Sequence, residues 1–156
     1  FGDKIKYILD GGKCNIGIES TIIDLRDKPE ILRLGGVEVS KIKKILGKKI
    51  KITTNPKEKI APGQSKLHYS PGIPLRMNVK KPNKNEAFIL LKKNKNAYLN
   101  YFYLSKKNNL KEAAKNLYSL LREIKNKGYK SIAVEKIQNF GVGQTINDRL
   151  KRASQF

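Results

Sequence analysis

The 156-residue sequence predicts an α/β fold, and three observations carry that prediction. Short runs of β-branched and aromatic residues recur, each bounded by Gly, Pro, Asn or Asp, which is how strands read. One long stretch, NLKEAAKNLYSLLREIKNKG, sets Leu110, Ala113, Ala114, Leu117, Leu121 and Ile124 at helical spacing, with Gly128 as its stop. Strand-like and helix-like segments then alternate toward the C-terminus, the pattern of a helix layer on a sheet.

Taken in order, residues 1 to 9 (FGDKIKYIL) fit a helix end or a short strand. The glycine-rich DGGKCNIGIES that follows runs into STIIDL, a strand. RDKPE is a turn and ILRLGG a second strand, so a hairpin-like pair is expected. VSKIKKILG reads as a helix with Ser40 as N-cap, Ile42, Ile45 and Leu46 on one face, and Gly47 as its stop. From Lys48 to Met77 four prolines interrupt any period, and about thirty residues without an element suggest a linker with a function of its own. EAFILL then reads as a buried strand, AYLNYFYL as an alternating aromatic one, and YKSIAVEKI as another. GVGQTINDRLKRAS is a glycine turn opening a helix, with Thr145 or Asn147 as its cap.

Composition narrows the function. No apolar run approaches the ~18 residues of a membrane-spanning helix, so no membrane partner is expected. The single cysteine, Cys14, leaves no internal disulfide framework and suits a cytoplasmic protein. With one histidine, His68, a multi-histidine metal site is excluded, and no protein-ligated metal is expected. The formal charge is +21, but Lys outnumbers Arg 28 to 6. Bidentate recognition of phosphate favours Arg, so most of this charge is attributed to A/T-rich codon usage, which also enriches Ile and Asn. The chain begins at Phe1 and its sole methionine is Met77, so it is expected to be a trimmed or C-terminal piece.

Three stretches can carry chemistry. In DGGKCNIGIESTIIDL the glycines permit a close backbone approach, and Glu19, Ser20 and Thr21 place a carboxylate and hydroxyls at the start of a strand; a polar bend leading into that strand accounts for the pattern equally well. In HYSPG, Pro71 stiffens the chain beside His68 and Tyr69, which suit either ligand contact or a packed loop anchor. GVGQTINDRL offers backbone N–H groups at a helix start, but Ile146 stands where the dinucleotide fingerprint needs its third glycine.

DGGKCNIGIESTIIDL, ILRLGG, APGQSKLHYSP and GQTINDRLKRA, in this order and spacing, resemble the YrdC-like L-threonylcarbamoyladenylate synthase family with its C-terminal extension domain. The resemblance covers essentially the whole chain. It implies an incomplete C-terminal piece of a YrdC-like α/β catalytic domain over 1–47, a proline-rich linker or lid over 48–77, and a small α/β, Rossmann-like extension domain over 78–156. It implies Ser20 as a threonine contact, Arg33 as a contact for ATP phosphates, and Tyr69 as a linker residue folding over the nucleotide. No catalytic side chain is implied, because threonine's own carbamate attacks the α-phosphorus of ATP. L-threonine, bicarbonate and ATP, with Mg²⁺ accompanying the ATP, would be the substrates, and the product would serve threonylcarbamoyl modification of adenosine in transfer RNA.

The family's Lys-x-Arg and Ser-x-Asn active-site motifs do not occur here. A separate or preceding N-terminal catalytic fragment is therefore an expected partner, and the chain alone is expected to be inactive. A basic RNA-binding module, stacking bases on AYLNYFYL, is the reading from a different class, as is an inactive remnant; non-specific RNA affinity is compatible with all three.

Overall fold

The computed structural model describes residues 2–12, 14–56, 60–65, 69–94 and 98–155. A 3₁₀ turn at Gly2–Lys4 is the one element before the first strand among the described residues, so within 2–9 the expected helix end or strand is limited to that turn.

Strands β1 (Ile22–Asp24) and β2 (Glu30–Arg33) pair antiparallel, as the hairpin reading expects, and β3 (Lys51–Ile52) adds to β2 in parallel. The turn between β1 and β2 is fixed by Asp24, whose carboxylate accepts from the Arg26 backbone N–H at 3.0 Å. Helix α1 (Val39–Leu46) follows, burying Val39 and Ile42 against Ile31 and Ile50. Its N-cap position is Glu38, not Ser40. Ser40 is already inside the first turn, and its hydroxyl bonds the Glu38 carboxylate at 3.5 Å.

The segment from 48 to 77 is less bare than its sequence suggests. It contributes β3 to the first sheet and β4 (Leu75–Arg76) to the second, both two residues long and therefore without a readable period. Gln64, 4% exposed, anchors the stretch between them. Its amide donates to the Leu32 carbonyl at 3.2 Å and its carbonyl accepts from the Ile60 and Ala61 N–H groups, both at 2.9 Å.

The second sheet also holds β5 (Ala87–Lys92), β6 (Tyr101–Ser105) and β7 (Ile132–Val134), in the order β4-β7-β5-β6 with every pair parallel. Helix α2 (Leu110–Asn126) connects β6 to β7, and α3 (Gly143–Ala153) follows β7. The expected apolar stripe of α2 is buried from Ala113 to Ile124, with Leu110 partly buried at its start, and packs with Ile146 and Leu150 of α3 on the inward residues of the sheet, Ile89, Leu104, Ile132 and Val134 among them. Asn109 caps α2, accepting from the N–H groups of Lys111 and Glu112 at 2.8 and 3.1 Å. The aromatic strand alternates as predicted, with Phe102 and Leu104 toward this core and Tyr101 and Tyr103 on the opposite face. The architecture is thus mixed α/β with a parallel sheet.

Candidate functional site

The site forms where the glycine-rich loop, the end of β2, the proline-rich segment and two C-terminal helices meet. Gly35 and Gly36, just past β2, run beside residues 19–21: Gly36 N–H donates to the Glu19 carbonyl at 3.0 Å. A Cβ on Gly35 would stand 2.2 Å from the Thr21 nitrogen, so only glycine lets these backbones come this close. The approach places Ser20 beside Arg33. The Arg33 guanidinium donates from Nε to the Ser20 carbonyl at 3.1 Å, from Nη2 to Ser20 Oγ at 3.2 Å, and from Nη1 to the Pro62 carbonyl at 3.3 Å. The fork therefore ties the loop to the proline-rich segment.

Tyr69 is brought to the same place. Its backbone is left-handed at φ 65°, a conformation that costs a non-glycine residue about 1–3 kcal/mol and persists only where surroundings impose it. A Cβ on Gly63 would meet the Tyr69 hydroxyl at 3.0 Å and Arg33 Cδ at 3.1 Å, so Gly63 is the gap across which the two side chains face each other. Ser20, Arg33 and Tyr69, far apart in sequence, share one site. His68 lies outside the described residues.

Glu19, singled out in the sequence as a carboxylate at the strand entry, and two residues without a role in the sequence reading, Tyr118 and Arg149, complete the arrangement. Arg149 of α3, 1% exposed, donates from Nε to Glu19 at 3.1 Å and from Nη2 to the Leu34 carbonyl at 2.6 Å, and pairs with Asp148. Its guanidinium carbon sits 4.8 Å from the centre of the Tyr69 ring, a cation–π contact. The same ring stacks on Tyr118 of α2, centroids 5.3 Å apart and planes 16° apart. The Tyr118 hydroxyl donates to Glu19 at 3.2 Å.

The electrostatics follow from the packing. Burial pushes the Glu19 carboxyl up, but its own backbone N–H, the Arg149 charge and the Tyr69 hydroxyl outweigh that and hold it below the ordinary value. Burial pushes the Tyr69 phenol up to about 12, so it stays protonated and able to donate.

Helix α3 has a polar face at the spacing i, i+4, i+7 that reaches outward from the C-terminal core. Thr145 Oγ1 donates to the Gly35 carbonyl at 3.0 Å; Arg152 donates to the Ser65 and Thr54 carbonyls at 3.0 and 2.6 Å. Thr145 and Asn147 are not its caps. The helix begins at Gly143, where a Cβ would stand 2.0 Å from the Gln138 carbonyl oxygen, and Asn147 instead donates to the Ile137 carbonyl at 3.2 Å. The i, i+4, i+7 pattern of Thr145, Arg149 and Arg152 was visible in GQTINDRLKRA, and two arginines at helical spacing in an arginine-poor chain were the available clue. Glu19 was marked by its place in the Glu19-Ser20-Thr21 triplet, but its partner was not, and Tyr118 carried no clue, because their contact is 99 residues apart.

Residues 37–155 match the family model of the threonylcarbamoyl-AMP synthase C-terminal domain, and residues 1–35 match one described as telomere recombination. The chain belongs to the threonylcarbamoyl-AMP synthase C-terminal domain family. It is 31% identical to the threonylcarbamoyl-AMP synthase of Pyrococcus abyssi over 177 aligned positions, covering 100% of this chain and 51% of that protein. The crystal structure of P. abyssi Sua5 complexed with L-threonine superposes with a TM-score of 0.81 at 29% identity, covering 99% of this chain and 51% of that one. A variant of the same protein with a His-Tyr pair changed to alanine gives 0.72 at 26%, covering 93% and 47%. The chain spans about half the length of the curated relatives it matches.

Proposed function

We propose that this chain forms one wall and the lid of a threonylcarbamoyl-AMP synthase active site, with the remaining wall supplied by an N-terminal catalytic portion. The observation that carries this is the convergence of Ser20, Arg33 and Tyr69 from three segments onto one side-chain cluster. The relative crystallised with L-threonine supports threonine as a substrate here. The chain's one His-Tyr step is His68–Tyr69, the same dipeptide altered in the P. abyssi variant, which supports placing the lid contact at Tyr69.

In this reading Ser20 binds threonine through its hydroxyl, and Arg33 exchanges its carbonyl partners for ATP phosphate oxygens. That exchange suits a planar fork, since a charged bidentate bond to phosphate is stronger than one to a neutral carbonyl. Tyr69 closes over the nucleotide and keeps water from the reacting centre. The carbamate of threonine attacks the α-phosphorus of ATP and pyrophosphate leaves, so the protein's task is positioning and charge neutralisation. Among the described residues no group of three His, Cys, Asp or Glu side chains could hold a metal ion. Mg²⁺ would arrive with the triphosphate.

The reading is tested by ATP affinity in the assembled enzyme, measured calorimetrically. Arg33→Ala should weaken ATP binding at least tenfold, the loss of one charged hydrogen-bonding group being worth about 1.5–3 kcal/mol. ATP affinity unchanged by Arg33→Ala would remove the phosphate-contact role and with it the proposal.

A further inference from the structure

We propose that Tyr118 is a positioning residue for the lid: α2 of the C-terminal core is the seat on which Tyr69 docks, and Tyr118 sets the docked position. This rests on the synthase reading above and extends it to a residue outside the reacting site. One face of α2 meets the catalytic-side loop and the proline-rich segment along its length. A Cβ on Gly17 would fall 2.4 Å from Lys115 Cα, so the glycine-rich loop lies directly on the helix backbone. One turn on, Tyr118 stacks on Tyr69 and bonds Glu19 of the same loop. Two further turns on, a Cβ on Gly72 would stand 2.9 Å from Lys125 Nζ. A cleft of about 430 Å³ lies along this contact, between Tyr69–Pro71 and Tyr118, Arg122 and Lys125.

The helix is a rigid support, because Ala113, Ala114, Leu117, Leu121 and Ile124 are all buried in the core. Tyr69, in its left-handed conformation, contacts both the Tyr118 ring and the Arg149 guanidinium, and Glu19 bonds both of those residues. Binding of ATP would be weakened by the fraction of time the lid is away from its seat. An offset aromatic stack is worth about a three- to tenfold change in that fraction.

The test compares Tyr118→Phe, which keeps the ring and loses the hydroxyl, with Tyr118→Leu and Tyr118→Met, which fill the space without a ring. In this chain, NMR of labelled tyrosine should show the Tyr69 ring protons shifted by the neighbouring ring in wild type and Tyr118→Phe, and that shift lost in the Leu and Met variants. In the assembled enzyme, the Leu and Met variants should raise KM for ATP about three- to tenfold with kcat within about twofold, and Tyr118→Phe, which keeps the ring and loses the bond to Glu19, should raise it less. An unmoved Tyr69 ring, or a loss confined to kcat, overturns the seat. If the wild-type enzyme shows no ATP turnover, the synthase reading fails, and the NMR comparison still decides whether Tyr118 seats Tyr69.

Discussion

Arg149 shows how much of the site hangs on one side chain. It is buried, it bonds a carboxylate of the loop and a carbonyl after β2, and it supports the Tyr69 ring. Removing it takes the arginine from Glu19, while Asp148 keeps its bonds to Arg152, and breaking a buried pair commonly costs about 3–5 kcal/mol. Glu19 retains 30% exposure, which moves the expectation for Arg149→Met to the lower end, about 3 kcal/mol by denaturant unfolding. Arg149→Lys should recover little, since an ammonium cannot reach Glu19, Asp148 and the Leu34 carbonyl at once; full recovery by Lys would show that charge alone matters. The Glu19 carboxyl is held below its ordinary value in the fold, so it contributes stability that is present above pH 4.5 and is lost as pH falls through the lower folded value. Glu86, held down chiefly by its hydrogen bond to Arg76, adds in the same direction. Thermal melts should therefore fall as pH drops below 4.5 in wild type, and fall less steeply in Glu19→Gln.

At the scale of elements, the sequence spoke most clearly where burial imposed a period. The α2 stripe, β5 and the faces of β6 were all legible because each packs on a core. What the sequence could not show were β3 and β4, two residues each, and the start of α1, where Glu38 precedes a serine that looks like a better cap. The glycine-rich loop was legible as unusual, but not for its partner: the freedom at Gly17 serves contact with α2, which the sequence places about a hundred residues away. Gly17→Ala faces both a φ of +73° and backbone atoms 2.4 Å from the new Cβ, so it should cost more than about 1 kcal/mol. Gly11→Ala, with nothing within 4 Å, should stay within about 0.5 kcal/mol. Equal melting temperatures for the two variants would mean that the loop does not rest on the helix. Ser20, Arg33 and Tyr69 were legible as candidates through the family resemblance, whereas the Glu19–Arg149–Tyr118 frame around Tyr69 needed the fold to bring it together.

For the molecule as a whole, the glycine-rich loop and the proline-rich segment meet the C-terminal core at one helix face and one stack. The charge of +21, carried mostly by Lys, should give RNA binding that weakens steeply with salt and distinguishes transfer RNA poorly from unrelated RNA. A transfer-RNA preference that persists at high salt in a titration would favour the binding-module reading instead. In the synthase reading this chain supplies the lid and one wall but not a complete site. Losing a single electrostatic contributor to such a reaction commonly costs ~10²–10³ in rate, and the Lys-x-Arg and Ser-x-Asn groups of the family are both absent from these 156 residues. The decisive measurement is pyrophosphate release from ATP in the presence of threonine and bicarbonate, with this chain alone and with an added N-terminal catalytic fragment. The account predicts background release from the chain alone and threonine-dependent release when the fragment is present; robust threonine-dependent turnover by the chain alone would contradict it.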